Sequence, residues 1–90
     1  MERLFVLEYT YVPDIVERRE PHRAGHLDLL RAGHEKGDVR MAGAIGDPPN
    51  GGLLVFTSAE AAETFVAQDP YIRAGLVTEH RVVPWTVAVP

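Results

Sequence analysis

The chain has 90 residues, 46% of them hydrophobic, with 9 basic and 13 acidic side chains for a formal charge of -4. That size and balance describe one domain over residues 1–90 with a modest core, since so short a chain buries only about 60% of the surface its unfolded form exposes. The absence of cysteine excludes a disulfide framework and a thiolate nucleophile and makes a cytoplasmic location the default; basic residues scattered among acids argue against nucleic-acid binding, and no apolar run approaches the roughly 20 residues of a membrane span.

The N-terminal stretch lacks the basic lead-in and small-residue cleavage site of a signal peptide. From Arg3 to Tyr11 two sets alternate, Phe5, Leu7, Tyr9, Tyr11 and Leu4, Val6, Glu8, Thr10, in a segment rich in β-formers, which predicts a strand. Both sets are apolar in the first half, as expected of a sheet covered on each face. Pro13 ends the strand, and Asp14 to Glu20 reads as a turn or helical lead-in. A helix is predicted over Pro21 to Lys36, with proline at its tolerated first position and Gly37 at its stop. A second strand follows at Val39 to Ala44. The turn-rich segment Gly46 to Gly52 joins it to a third at Leu53 to Thr57, an antiparallel hairpin. Ser58 caps a second helix, Ala59 to Gln68, and beyond the Asp69-Pro70-Tyr71 corner a long final strand is predicted over Leu76 to Val89.

The order β-α-β-β-α-β is that of the ferredoxin-like split βαβ fold, an α+β arrangement with an antiparallel sheet. Its helices cover one face only. The other face needs cover, and a second copy of the chain is the simplest source, so a homodimer packed through its sheet faces is expected.

On the first helix, at 100° per residue, Arg23 and His26 fall within about 40° of Leu30, on the face that should be apolar. Charged or polar groups there carry a desolvation cost unless they are hydrogen-bonded or line a wet pocket. A structural explanation is a core histidine bonded to a carbonyl and an arginine snorkelling at the helix edge. His22 and His26 stand four apart, as in paired metal ligands, but no glutamate lies between them and an adjacent guanidinium repels a dication. No metal and no cofactor is called for. His34 and His80 read as surface residues, Asp69 as a cap on the next helical turn, and the glycine-rich loop as a hairpin loop rather than a phosphate cradle.

The run Arg23-Ala24-Gly25-His26-Leu27, then Gly37, Ala42-Gly43, Gly52-Leu53-Leu54-Val55-Phe56, Asp69-Pro70-Tyr71 with Ala74-Gly75-Leu76, and Pro84-Trp85, resembles the YciI (YCII-related) family over nearly the whole chain. The resemblance implies a dimeric α/β barrel and an active site in which His26 and Asp69 are the catalytic pair. It also implies lyase, isomerase or dehydrohalogenase chemistry on a small organic compound. In that site Asp69 would orient His26 as general acid or base, Arg23 would bind a carboxylate or enolate oxygen, and Tyr71 and Tyr9 would supply aromatic walls or a phenolic hydrogen bond. Ala44 stands where the family often has proline, and the loop Ile45 to Gly51 is shorter than in many relatives. The alternative reading is a non-catalytic small-ligand-binding or accessory dimeric module.

Overall fold

The computed structural model describes residues 1–90. Four strands, β1 (Glu2–Tyr11), β2 (Val39–Ile45), β3 (Gly51–Phe56) and β4 (Val77–Val87), form one sheet in the order β2-β3-β1-β4, with every neighbouring pair antiparallel. The helices are α1 (Ile15–Arg18), α2 (Arg23–Lys36), α3 (Ala59–Gln68) and α4 (Pro70–Arg73). β3 pairs between β1 and β2, and β1 pairs between β3 and β4, so α2 and α3 are the two crossovers of a split βαβ fold. The ferredoxin-like α+β arrangement expected from the element order is the one observed. No helix is long and apolar enough to cross a membrane.

Local chemistry accounts for the element ends. Gly37 takes a left-handed φ of 87° at the end of α2, which closes the helix and turns the chain into β2. Ser58 accepts a hydrogen bond from the Ala61 N–H and starts α3. The predicted helix over Pro21 to Lys36 begins two residues later. Pro21 lies in a 3₁₀ turn over Glu20–His22, and this turn hands the chain on to α2. The lead-in is itself partly helical, because Ile15, 1% exposed, anchors α1 against Val12, Tyr71 and Leu76. β3 starts earlier than predicted, since Gly51 and Gly52 pair with Thr10 and Tyr9 on one side and with Ile45 and Ala44 on the other.

The main core lies between sheet and helices, where Leu7, Tyr9, Leu54 and Phe56 meet Ala62 and Phe65 of α3 and the half-buried Leu29 and Leu30 of α2. Full burial of a large apolar side chain contributes roughly 1.5–3 kcal/mol, so few positions are spare. On the opposite face Val6, Met41, Ile45, Leu53, Val55, Val83 and Trp85 form an apolar trough of about 650 Å³ in which Glu8 is the one ionisable side chain. Trp85 is 45% exposed there. Val77 does not join this face: the register shifts between Thr10 and Tyr11, and Val77 pairs with Tyr11 and packs toward the helix side.

Candidate active site

Asp69 sits at the junction of α3 and α4 with extended backbone angles, and its side chain is completely buried. A buried carboxylate needs donors, and three converge on it. Its Oδ1 accepts the Tyr71 backbone N–H at 3.1 Å and lies 2.8 Å from His26 Nδ1, while Oδ2 accepts the Tyr9 hydroxyl at 2.7 Å. The helix cap and the imidazole partner are therefore one oxygen. Capping α4 fixes the orientation of the carboxylate that in turn fixes the ring of His26.

His26 reaches Asp69 because α2 runs close to the Asp69-Pro70-Tyr71 corner. A Cβ at position 25 would stand 3.3 Å from Pro70 Cγ, so glycine there permits the approach. The ring of His26, only 6% exposed as a residue, stacks on Tyr71 with centroids 3.8 Å apart and planes 3° from parallel, and meets the edge of Phe65 at 6.0 Å. With the carboxylate on Nδ1, the neutral imidazole carries its proton on that nitrogen. Nε2 then holds the lone pair. It has no protein hydrogen-bond partner, and no side-chain nitrogen or oxygen in the chain is both sealed from solvent and unpaired, so Nε2 opens onto the adjoining cavity.

That cavity, about 290 Å³, lies between α2 and the sheet and is bordered by Tyr11, Arg19, Arg23, His26, Pro49 and Tyr71. An engineered apolar cavity of about 150 Å³ accepts benzene, so this one has room for a substituted ring. Its lining combines the polar groups of Arg19, Arg23, His26 and two tyrosines with apolar Leu27, Leu30 and Leu54, as in small-molecule sites. The larger trough on the open sheet face has no comparable cluster.

The phenols are held in their neutral form. Burial, the charge of Asp69 and the hydrogen bond to it all push the Tyr9 hydroxyl far above the usual phenol range, which keeps it a donor. Burial pushes Tyr11 up to about 12, with Tyr71 and Asp69 adding to the effect and the Arg19 and Arg23 guanidiniums opposing it. Tyr71 is likewise raised, by burial first, with Arg23 and Arg19 pulling the other way.

Of the five residues singled out by sequence, His26 and Asp69 are in direct contact, and Arg23 and Tyr71 border the cavity with His26. Tyr9 does not border it. Its hydroxyl is committed to Asp69, which makes it a support for the carboxylate rather than a wall. His34 and His80 are exposed, away from this cluster. Tyr11, Arg19 and Pro49 were missed. Tyr11 shares the strand face of Tyr9, a signal that was available, and Arg19 precedes Arg23 by four residues, but the 3₁₀ turn between them hides the spacing from a helical wheel. Pro49 brings the short loop after β2 to the cavity edge.

A family model described as the YCII-related domain matches residues 3–86. Protein YciI of Escherichia coli O6:H1 is 30% identical, over 91% of this chain and 95% of its own. Among solved structures, the 5-chloro-2-hydroxyhydroquinone dehydrochlorinase TftG of Burkholderia phenoliruptrix AC1100, in complex with 2,5-dihydroxybenzoquinone, superimposes with a TM-score of 0.74 at 25% identity over 92% of this chain and 93% of that one. SnoaB, a cofactor-independent oxygenase from Streptomyces nogalater, matches in fold alone, with a TM-score of 0.54 at 16% identity over 98% of this chain and 94% of that one.

Proposed function

The chain belongs to the YCII-related domain family, and from that premise we propose that it is an acid-base enzyme of the lyase or isomerase type, acting on a small ring compound with His26 as the proton-transferring group. One observation carries this reading: His26 Nδ1 is held 2.8 Å from the buried Asp69 carboxylate while Nε2 opens onto a cavity of ring size. A fixed tautomer with one nitrogen committed and the other free is what general base catalysis requires.

In the forward step Nε2 takes a proton from carbon or oxygen of the bound compound. The electron pair left behind enters the ring. In an elimination from a chlorinated hydroxyhydroquinone the imidazolium returns that proton to the chlorine-bearing carbon. When Nε2 takes a second hydroxyl proton, the new electron pair expels chloride and yields the quinone, after which the imidazolium releases its proton to solvent. In an isomerisation the first proton simply returns at another atom and no group leaves. Asp69 stabilises the imidazolium while it exists, and Tyr9, a neutral donor on the second oxygen, holds the carboxylate in place. Arg23 faces the oxygen on which charge develops. The dehydrochlorinase named among the structural relatives supports an elimination, and its substrate is the first compound to try. Chloride release by the wild-type chain and its loss in His26→Gln test this reading.

We also propose that two chains pack through their open sheet faces. The support is the apolar trough that includes Met41, Leu53, Val83 and Trp85, on the sheet face that no helix covers. Sedimentation equilibrium should then give twice the 9.9 kDa chain mass, and a Leu53→Glu, Val83→Glu double variant should sediment as the single chain. A wild-type protein that stays at the single-chain mass at high micromolar concentration would rule out this packing.

A further inference from the structure

Nine basic side chains are spread over the molecule, and most have an acidic neighbour: Arg18 lies 3.6 Å from Asp14, Arg31 3.6 Å from Asp28 and Lys36 3.7 Å from Asp38, while Arg40 pairs with Glu2 and Arg81 with Glu8. Arg19 and Arg23 have no carboxylate within ion-pair distance, although the chain carries 13 acidic residues. Both border the cavity beside His26. No acidic side chain borders it, and Asp69 behind His26 is completely buried with its two oxygens already serving three donors.

These two arginines are also placed rather than free. The Arg19 N–H donates to the Ile15 carbonyl at 2.8 Å, the Arg19 carbonyl accepts from the His22 N–H at 2.8 Å, and Ile15 is anchored in the small core around Val12, Tyr71 and Leu76. Arg23 opens α2 one turn before His26. Both are half-buried. Arg19, Arg23, Tyr11 and Tyr71 border the same cavity, and the two guanidinium charges oppose the upward push that burial gives both phenols. Two guanidiniums beside phenolic donors, with no acidic residue to neutralise them, make a site for a ligand that brings the missing negative charge.

We propose that Arg19 and Arg23 together bind the ionised oxygens of the ligand, and that the substrate class is therefore a small planar organic anion, such as an ionised hydroxyquinone or ring carboxylate, rather than a neutral ring. The proposal rests on the reading that this cavity is the active site and adds Arg19 as the residue that selects charge. Arg23, one helical turn from His26, holds the oxygen closer to the reacting atom, and Arg19 holds the outer one.

The test is calorimetric titration of the full chain with two probes. 2,5-Dihydroxybenzoquinone carries vinylogous acid groups and is ionised at neutral pH, whereas hydroquinone is a ring of similar size without charge. The wild type should bind the anion at least about 10-fold more tightly than hydroquinone. Arg19→Gln should weaken the anion by about 10- to 100-fold, the loss of one charge-assisted contact, and leave hydroquinone unchanged. Arg19→Lys should fall between the two. A purely structural role for Arg19 would weaken both probes equally, and that result, an unchanged affinity of Arg19→Gln for the anion, or a wild type that fails to prefer the anion, overturns the proposal. His26→Gln separates the two readings. If it loses turnover while Arg19→Gln binds the anion normally, the clamp fails and the acid-base role stands; if it keeps turnover while Arg19→Gln loses the anion, the clamp stands and the acid-base role fails.

Discussion

Replacing Asp69 by alanine is expected to destabilise the protein by about 3–5 kcal/mol, because each buried donor left without an acceptor costs about 1–3 kcal/mol. The change leaves three buried donors behind: the Tyr9 hydroxyl, the Tyr71 N–H and the Nδ1–H of His26. It also removes the cap of α4, which at four residues has almost nothing else to hold its first turn. Domains have only about 5–15 kcal/mol in total, and one this small sits toward the bottom of that range, so a large fraction of the variant should be unfolded at room temperature. Asp69→Asn keeps an acceptor at the Oδ1 position and should lose about 1–2 kcal/mol. Urea denaturation followed by circular dichroism measures both. A loss below about 1 kcal/mol for the alanine variant would mean that the three contacts are not maintained together in solution.

The second large effect is on rate. His26→Gln should lower kcat/KM for elimination from 5-chloro-2-hydroxyhydroquinone by about 10²- to 10⁴-fold, the usual range for removing a general base. Glutamine can still accept a contact from a ligand but cannot take up a proton. Because Asp69 retains Tyr9 and the Tyr71 N–H as donors in this variant, the fold should survive better than in Asp69→Ala, and a rate loss can be read as chemistry. Asp69→Asn, with its amide oxygen at the Oδ1 position, should also lose rate, since a neutral amide no longer stabilises the imidazolium that forms when His26 takes up a proton. Chloride release in a stopped assay is the readout. An unchanged rate in His26→Gln would transfer the chemistry to another group.

The fold was largely legible because local signals agreed with one another. Alternation in β1, the capping serine before α3 and Gly37 after α2 each have one structural interpretation. The first helix carried the clearest trace of a site, since Arg23 and His26 break an apolar face that Leu29 and Leu30 otherwise continue. What joined His26 to Asp69, 43 residues away, was not a local signal: it depends on Gly25 admitting Pro70 and on the crossover that lays α2 beside α4. Tyr9 illustrates the opposite limit. Its position on the inner strand face was readable, but whether its hydroxyl would meet a ligand or Asp69 depended on where a residue 60 positions later would lie. Arg19 was obscured because Ile15 is the one buried side chain of α1 and the 3₁₀ turn has none, too short a pattern to reveal a period.

The acid-base role of His26 depends on Asp69 fixing the ring with its proton on Nδ1 and leaving Nε2 free toward the cavity. Long-range nitrogen-proton correlation spectra of protein labelled with ¹⁵N-histidine report the tautomer of each ring directly. For neutral His26 they should show a protonated Nδ1 and a bare Nε2, and on addition of 2,5-dihydroxybenzoquinone the Nε2 resonance should move most. A neutral ring protonated on Nε2, or an Nε2 resonance unmoved by a ligand that binds, would contradict the assignment of His26 as the base.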